Sequence, residues 1–242
     1  MRQAVVLAAG TGSRLRPLTD ACPKCLLDVG GSTILDRLIE RLADAGVRSG
    51  AIVTGHLAGL VTEHLRRHPP PFKLVPAPNP AYATTNNVVS LQAARPHLGS
   101  GSLIICDGDV VLHGDGLRRL ADEAEACAFL VDRETALSDE EMKVVLSAEG
   151  CVTTLSKAVD PRKAAGESIG VQKVGGPALQ RLWEILDDLV GSGRTDVYYE
   201  QAFQQLIDEG TRFRAVPIAS REWTEIDSPD DLEDARARFA GR

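Results

Sequence analysis

The chain has 242 residues, 43% of them hydrophobic and 25% charged, and a formal net charge of −7. That is enough material for one domain with a substantial core, and an acidic balance without any basic run argues against a nucleic-acid binder. No run of 18 apolar residues occurs, and the apolar part of "MRQAVVLAAG" is too short for a signal-peptide core, so a soluble cytoplasmic protein with no membrane insertion is expected.

Residues 3–8, "QAVVLA", form a β-branched apolar run that ends at Gly10, the pattern of a buried strand feeding a glycine loop. "STILDRLIERLADAG" opens on a Ser/Thr cap, places Ile34, Leu35, Leu38, Ile39 and Leu42 on one helical face and stops at Gly46. "GAIVTG" predicts a strand, "LAGLVTEHLRRH" a helix, "FKLVPA" a strand and "NNVVSLQAA" a short helix. "SLIICDGDVVL" reads as one strand with an acidic end, followed by a helix over "GLRRLADEAEAC". Strands alternating with helices over the first 130 residues imply right-handed crossovers and a largely parallel sheet covered on both faces.

Past residue 130 the pattern changes. "MKVVLSAEGCVTTLSK" predicts two strands about a turn at Ala148-Glu149-Gly150, and "ESIGVQKVG" a third, so this part is expected to be antiparallel. "PALQRLWEILDDLV" and "DVYYEQAFQQLIDEG" are amphipathic helices, "FRAVPI" and "WTEID" strands, and "PDDLEDARARFAG" a closing helix with Pro229 in its first turn. No Gly/Ser/Pro-rich linker divides the chain, the proline bend in "RRHPPPFK" being too short. The expectation is one α/β domain over 1–242: a Rossmann-like, mostly parallel mixed sheet with helices on both faces, and a small antiparallel portion. Residues 1–130 would bind a nucleotide and 131–242 an acceptor.

Three stretches carry chemistry. "LAAGTGSRLRPLT", residues 7–19, is a strand end and glycine loop whose backbone N–H groups can approach a phosphate, with Arg14 able to pair with phosphate oxygens. It is neither a Walker A loop nor a complete G-x-G-x-x-G, and a strand-to-helix turn with a surface arginine accounts for it equally well. In "IICDGDVVL" Asp107 and Asp109 alternate at the carboxyl end of an apolar strand, where open α/β sheets bind ligands and where carboxylates suit Mg²⁺ on a phosphate substrate. In "WTEIDSPDDL" Glu225 and Asp227 alternate just before a helix, as a second carboxylate source or, for Asp227-Ser228, as a helix cap.

"LAAGTGSRLRPLT" followed by Pro23-Lys24 and "LLDVGG", with "CDGDV" in the middle and "TEIDSPDDL" near the end, resembles the nucleotidyltransferases that join a nucleoside triphosphate to a phosphorylated small molecule. The resemblance runs the length of the chain. It implies that Leu7, Ala8, Ala9 and Gly10 contact base and ribose, that the loop through Thr11 wraps the nucleotide, and that Gly12, Ser13 and Arg14 contact the phosphates. It assigns Lys24 to the α-phosphate, Asp109 and Asp227 to a Mg²⁺ ion, and Asp107 and Glu225 to weaker roles as ligands of that ion. Arg14, Lys24, Asp109 and Asp227 would carry catalysis.

"NPAYATTNNVVSLQAA" is similar to the branch that makes CDP-linked products from phosphocholine, phosphonates or related phosphates. The resemblance implies CTP, with Tyr82, Asn86, Asn87 and Ser90 lining the nucleotide pocket; an ordinary capped helix start explains the same residues. For the acceptor, Lys143 and Lys157 fall on predicted strands, and Lys157 matches an acceptor-phosphate lysine of related enzymes. "TDVYYEQAF" resembles the segment that holds the amine of phosphocholine, which nominates Asp196, Tyr198, Tyr199 and Glu200. Aromatic residues are only 4% of the chain, too few for a generous ammonium cage, so 2-aminoethylphosphonate, 2-hydroxyethylphosphonate and inositol phosphate stay open beside phosphocholine.

The rival readings are a sugar-1-phosphate nucleotidyltransferase, a non-catalytic nucleotide-sensing subunit, and a zinc or redox module at Cys22-Pro23-Lys24-Cys25. Five scattered cysteines, Cys22, Cys25, Cys106, Cys127 and Cys151, supply no second C-x-x-C and read as reduced thiols.

Overall fold

The computed structural model describes residues 1–239, and the last two residues of "PDDLEDARARFAG" lie outside them. In chain order the elements are β1 (Arg2–Ala8), α1 (Leu18–Ala21), α2 (Ile34–Asp44), β2 (Ser49–Thr54), α3 (Ala58–Arg67), β3 (Lys73–Pro78), α4 (Asn87–Ala94), β4 (Ser102–Asp107) and β5 (Val110–Leu112). Then come α5 (Gly116–Asp122), β6 (Ala128–Asp132), β7 (Lys143–Leu146), β8 (Cys151–Ser156), β9 (Gly166–Val174), α6 (Pro177–Gly191), α7 (Glu200–Asp208), β10 (Phe213–Ile218), β11 (Trp223–Glu225) and α8 (Pro229–Phe239).

Among the described residues, nine strands form one mixed sheet in the order β3-β2-β1-β4-β9-β6-β10-β8-β7. β1 pairs in parallel with β2 and β4, and β2 with β3, as the alternating pattern of the first half predicts. Antiparallel pairing reaches further in than expected, because β9 from the second half inserts between β4 and β6 and runs against both. The start of β9 also pairs with β7, so the far strands fold back on it.

The apolar run of β1 sorts by the period of two. Ala4, Val6 and Ala8 face a core built from Leu35, Leu38 and Leu42 of α2, Val61 and Leu65 of α3, and Leu117 and Leu120 of α5. Val5 and Ala9 face the opposite core, under Val88 and Leu91 of α4, Leu182 and Leu186 of α6, and Phe203 of α7. Helices therefore cover both faces, and the sheet strands read as continuous apolar runs because neither side meets water. A third cluster ties α8, through Leu232, Ala235 and Phe239, to Leu15, Val29, Val111 and Ile226 near the loop end of the sheet.

Two local differences from the sequence reading have physical causes. The single strand expected over 102–112 breaks at Gly108, whose N–H donates to Leu7 O at 2.9 Å and where a Cβ would lie only 2.5 Å from that oxygen. Past this contact the chain leaves the main sheet, and β5 pairs antiparallel with β11 in a separate two-stranded ribbon. The helix predicted over "GLRRLADEAEAC" stops at Asp122, and "AFLVD", to which the sequence pattern gave no element, is the fully buried β6.

Candidate active site

β1, β4 and β9 direct their ends into one cavity of about 750 Å³. Its first wall is the loop after β1, contributed by Leu7, Ala8, Ala9, Gly10, Gly12, Ser13 and Arg14. Gly12 has a φ of +60°, a left-handed conformation suited to glycine, and a Cβ there would meet Thr19 Cγ2 at 2.9 Å. Thr19 Oγ1 donates to Gly12 O at 2.8 Å, which fixes the loop against α1.

The second wall is charged. Pro23 leads into a single tight turn over Lys24–Leu26, and Lys24 Nζ donates to Asp109 Oδ2 and Asp227 Oδ1, both at 2.7 Å. Arg14 reaches the other oxygen of Asp227 at 2.6 Å. Lys24 has only 14% of its side chain exposed, against 69% for Arg14, so the lysine pair is the stronger of the two contacts. Burial pulls the Lys24 pKa down, but Asp109 and Asp227 outweigh it and hold the ammonium above the ordinary lysine value.

The ribbon of β5 and β11 brings the carboxylates together. Glu225 lies opposite Val110, and Ile226 N donates to Asp109 O at 3.1 Å, so Asp109, Glu225 and Asp227 arrive from two chain segments at one spot. Asp227 is not the cap of α8. Ser228 and Asp231 cap that helix reciprocally, Ser228 Oγ accepting from Asp231 N at 3.2 Å and Asp231 Oδ2 accepting from Ser228 N at 2.7 Å. The Asp227 side chain is thereby left to the cavity.

One carboxylate oxygen from each of Asp109, Glu225 and Asp227 lies within 4.8 Å of the others. Asp109 Oδ1 is buried with no hydrogen-bond partner, an acceptor left open in a site of hard oxygen donors. These residues fit a divalent cation. Removal from bulk water within the cavity, and then Asp109 and Asp227, push Glu225 up to about 8 although its side chain is open to the cavity. Asp107 stands outside this trio and accepts from Tyr199 Oη at 3.2 Å, while Gln172 Nε2 donates to that hydroxyl at 2.8 Å. Burial, followed by Glu200, Asp109 and Glu225, raises the Asp107 carboxyl well above the usual range.

Of the residues nominated for the nucleotide, Asn87, Ser90 and Asp107 line the cavity with the glycine loop. Thr11, Tyr82 and Asn86 are not on its wall. Tyr82 packs against Gly55 and His56, and Asn86 caps α4 while its Nδ2 donates to Asp196 O at 3.2 Å. Among the acceptor candidates, Lys157, Tyr198 and Glu200 line the cavity, with Lys157 Nζ 5.2 Å from the centre of the Tyr198 ring. Lys143, Asp196 and Tyr199 do not. Lys143 is fully buried and donates to the carbonyls of Ser138 and Glu141, and Tyr199 is a buried core ring whose hydroxyl donates to Asp107.

Several wall residues carried no motif. Glu140, Glu141 and Met142 reach the cavity from the segment before β7, Glu167, Ser168, Ile169 and Gly170 from β9, and Trp223 from β11. Glu167 was open to discovery, since a lone glutamate in an otherwise buried strand needs a reason. Trp183 is a core residue of α6, whereas Trp223 is buried and also faces the cavity. Cys22 and Cys25 are free thiols, and no cysteine joins a metal-ligating group among the described residues. Burial first, then Cys22, pushes the Cys25 thiol up to about 12, the opposite of a reactive thiolate.

A glycine loop at the carboxyl edge of a parallel sheet, facing a lysine and three clustered carboxylates, defines a nucleotide-handling α/β transferase site. The model of the MobA-like NTP transferase domain matches residues 4–171, and the chain belongs to that family. It is 33% identical to CMP-5'-(3-aminopropyl)phosphonate synthase of Streptomyces rubellomurinus over 98% of its own length, spanning 39% of that longer protein. It is 28% identical to CTP:phosphoglutamine cytidylyltransferase of Campylobacter jejuni, over 95% of this chain and 97% of that one. The solved structure of CTP:phosphocholine cytidylyltransferase from Streptococcus pneumoniae, 26% identical, matches over 98% of both chains with a TM-score of 0.82.

Proposed function

We propose that this chain transfers CMP from CTP to a small phosphate or phosphonate acceptor and releases pyrophosphate. The observation that carries the reading is the convergence of Lys24, Asp109 and Asp227 within 2.7 Å contacts at the mouth of the glycine loop. A nucleotide-sensing subunit has no need of that charged assembly. Kinship with proteins named for CTP supports cytidine over other bases.

In the reaction an anionic acceptor oxygen attacks the α-phosphorus in line. A new P–O bond forms, the bond from the α-phosphorus to the bridging oxygen breaks, and its electron pair leaves on pyrophosphate. The nucleophile is already ionised, so no general base is required, and positioning with charge compensation supplies the rate. Leu7 to Gly10 face base and ribose, the N–H groups of Gly12 and Ser13 donate to phosphate oxygens, Lys24 offsets charge at the α-phosphate, and Arg14, at the exposed rim, takes the outer phosphates. Asp109, Glu225 and Asp227 would hold a Mg²⁺ ion, which when bound would neutralise charge on phosphate oxygens. Lys157, which lines the same cavity, orients the acceptor anion.

A pyrophosphate-release matrix tests this: four nucleoside triphosphates against phosphocholine, 2-aminoethylphosphonate, 2-hydroxyethylphosphonate, inositol phosphate and hexose-1-phosphates. Release confined to CTP with a phosphonate or amino-alcohol phosphate is expected, and Lys24→Ala and Asp109→Ala are each expected to cut turnover by about 100-fold or more. Preference for UTP with a hexose-1-phosphate, or full turnover in both variants, would overturn the reading.

A further inference from the structure

Lys24 and a divalent ion compete for the same atoms. Lys24 Nζ donates to Asp109 Oδ2 and to Asp227 Oδ1, both at 2.7 Å, and Arg14 Nη2 donates to Asp227 Oδ2 at 2.6 Å. Of the four oxygens on these two carboxylates, only Asp109 Oδ1 is open. The charges already balance. An ammonium and a guanidinium offset two carboxylates, so a divalent ion entering alone meets two resident cations and has to strip an ion pair from its own ligands. Lys24 is mostly buried, so water screens this contest weakly. A nucleoside triphosphate reverses the balance, because its phosphate oxygens offer both cations another partner.

The lysine can change partners without moving its backbone. Leu26 N donates to Pro23 O at 2.8 Å and Leu27 N to Lys24 O at 3.1 Å, which fixes the turn. A Cβ on Gly12 would lie 3.2 Å from Lys24 Cβ, so the glycine loop packs directly against the stem of the lysine. Rotation of a flexible four-carbon side chain is then enough to carry the ammonium from the carboxylates to phosphate oxygens beside that loop. Arg14, exposed and on the loop itself, can follow.

Resting on the cytidylyltransferase reading, we propose that Lys24 is a resident counter-ion that keeps the site of Asp109 and Asp227 weak for free divalent ions until a triphosphate draws the ammonium away. Ion and nucleotide then tighten each other's binding through one side chain, by the same factor in either direction. The ion site is loaded with the nucleotide rather than ahead of it.

Mn²⁺ is the probe, its free concentration read by electron paramagnetic resonance without any turnover. In the absence of nucleotide, Lys24→Met and Lys24→Gln, each shown to be folded by circular dichroism, are expected to bind Mn²⁺ at least about tenfold more tightly than the unaltered protein. Arg16→Gln removes the same charge from the same loop, where Arg16 pairs with Asp20, and is expected to leave Mn²⁺ affinity within about twofold. Adding Asp109→Asn to either Lys24 variant is expected to abolish the gain. Saturating α,β-methylene-CTP is expected to tighten Mn²⁺ binding in the unaltered protein by about tenfold more than in the Lys24 variants; direct chelation by the analogue is common to both and cancels in the comparison. Equal Mn²⁺ affinity with and without Lys24, an equal gain from Arg16→Gln, or a gain that survives Asp109→Asn overturns the counter-ion role. An analogue effect of the same size in both proteins overturns release by the nucleotide. No CTP binding and no pyrophosphate release with any acceptor would overturn the functional reading, while the Mn²⁺ titrations without nucleotide still decide whether Lys24 guards the site.

Discussion

Glu167 has a cost that stability can report. Its carboxyl is raised from the ordinary 4.5 to about 7, by burial first and then by Glu141 and Asp132, against the opposing pull of Lys157 and Lys143; Glu225 also faces it across the cavity. A folded-state pKa above the unfolded value means that the native chain holds the proton more tightly, so the penalty is absent below pH 4.5, grows between 4.5 and 7 and is complete above 7. Glu167→Gln is expected to raise stability at pH 8 by about 1–3 kcal/mol and to change it little at pH 4.5. Denaturant titration in a chelating buffer checks this, and an equal shift at both pH values would contradict it. A destabilising carboxylate on a cavity wall is what a binding site built at the expense of stability looks like.

Between elements, the ribbon of β5 and β11 decides whether Asp109, Glu225 and Asp227 converge. Its outer end is pinned by Trp223, whose Nε1 donates to Asp132 Oδ2 at 2.7 Å, while Asp132 Oδ1 accepts from Glu134 N at 2.8 Å. Asp132 is fully buried, so an amide in its place leaves a donor facing a donor or an acceptor unfilled. Asp132→Asn is expected to cost about 1–3 kcal/mol and, in a Trp183→Phe background, to shift the Trp223 emission. An unchanged melting temperature and spectrum would show that the clamp is unimportant. The strand over Trp223–Glu225 was legible in the sequence, but its pairing with β5 in a separate ribbon was not. The alternation of Asp107 with Asp109 and of Glu225 with Asp227 pointed to one edge of a sheet, but the contact of Gly108 with Leu7 that splits the strand is a tertiary event without local signal. The same limit explains Asp107 and Lys143: type and spacing marked both as functional, and only packing shows one held by Tyr199 and the other tied to backbone carbonyls. The glycine loop was legible as a strand end and turn, whereas Lys24, which lines the cavity, was nominated only by the resemblance of the whole motif, since nothing local marks its side chain.

For the molecule as a whole, the sequence pattern divides at about residue 130, and the sheet does not. β4 is completed on its outer side by β9, which pairs Leu103, Ile104, Ile105 and Cys106 with Val174, Lys173, Gln172 and Val171. Those four β4 residues are fully buried, and the helices α6 and α7 that cover Val5, Leu103 and Ile105 also come from beyond residue 130. A fragment of residues 1–130 would expose a long apolar strand edge and half of one core, a template for aggregation rather than an independent nucleotide-binding unit. The fragment is expected to be insoluble or to lack a dispersed amide spectrum, whereas the full chain should unfold in one cooperative denaturant transition seen identically by far-ultraviolet circular dichroism and tryptophan fluorescence. A folded fragment that binds CTP would mean that the two halves are separable domains. The continuity has a structural reason: β9 carries Glu167 to Gly170 on the cavity wall and pairs directly with β4, the strand that ends in Asp107, so the strand that completes the core also fixes how far apart these parts of the cavity lining lie.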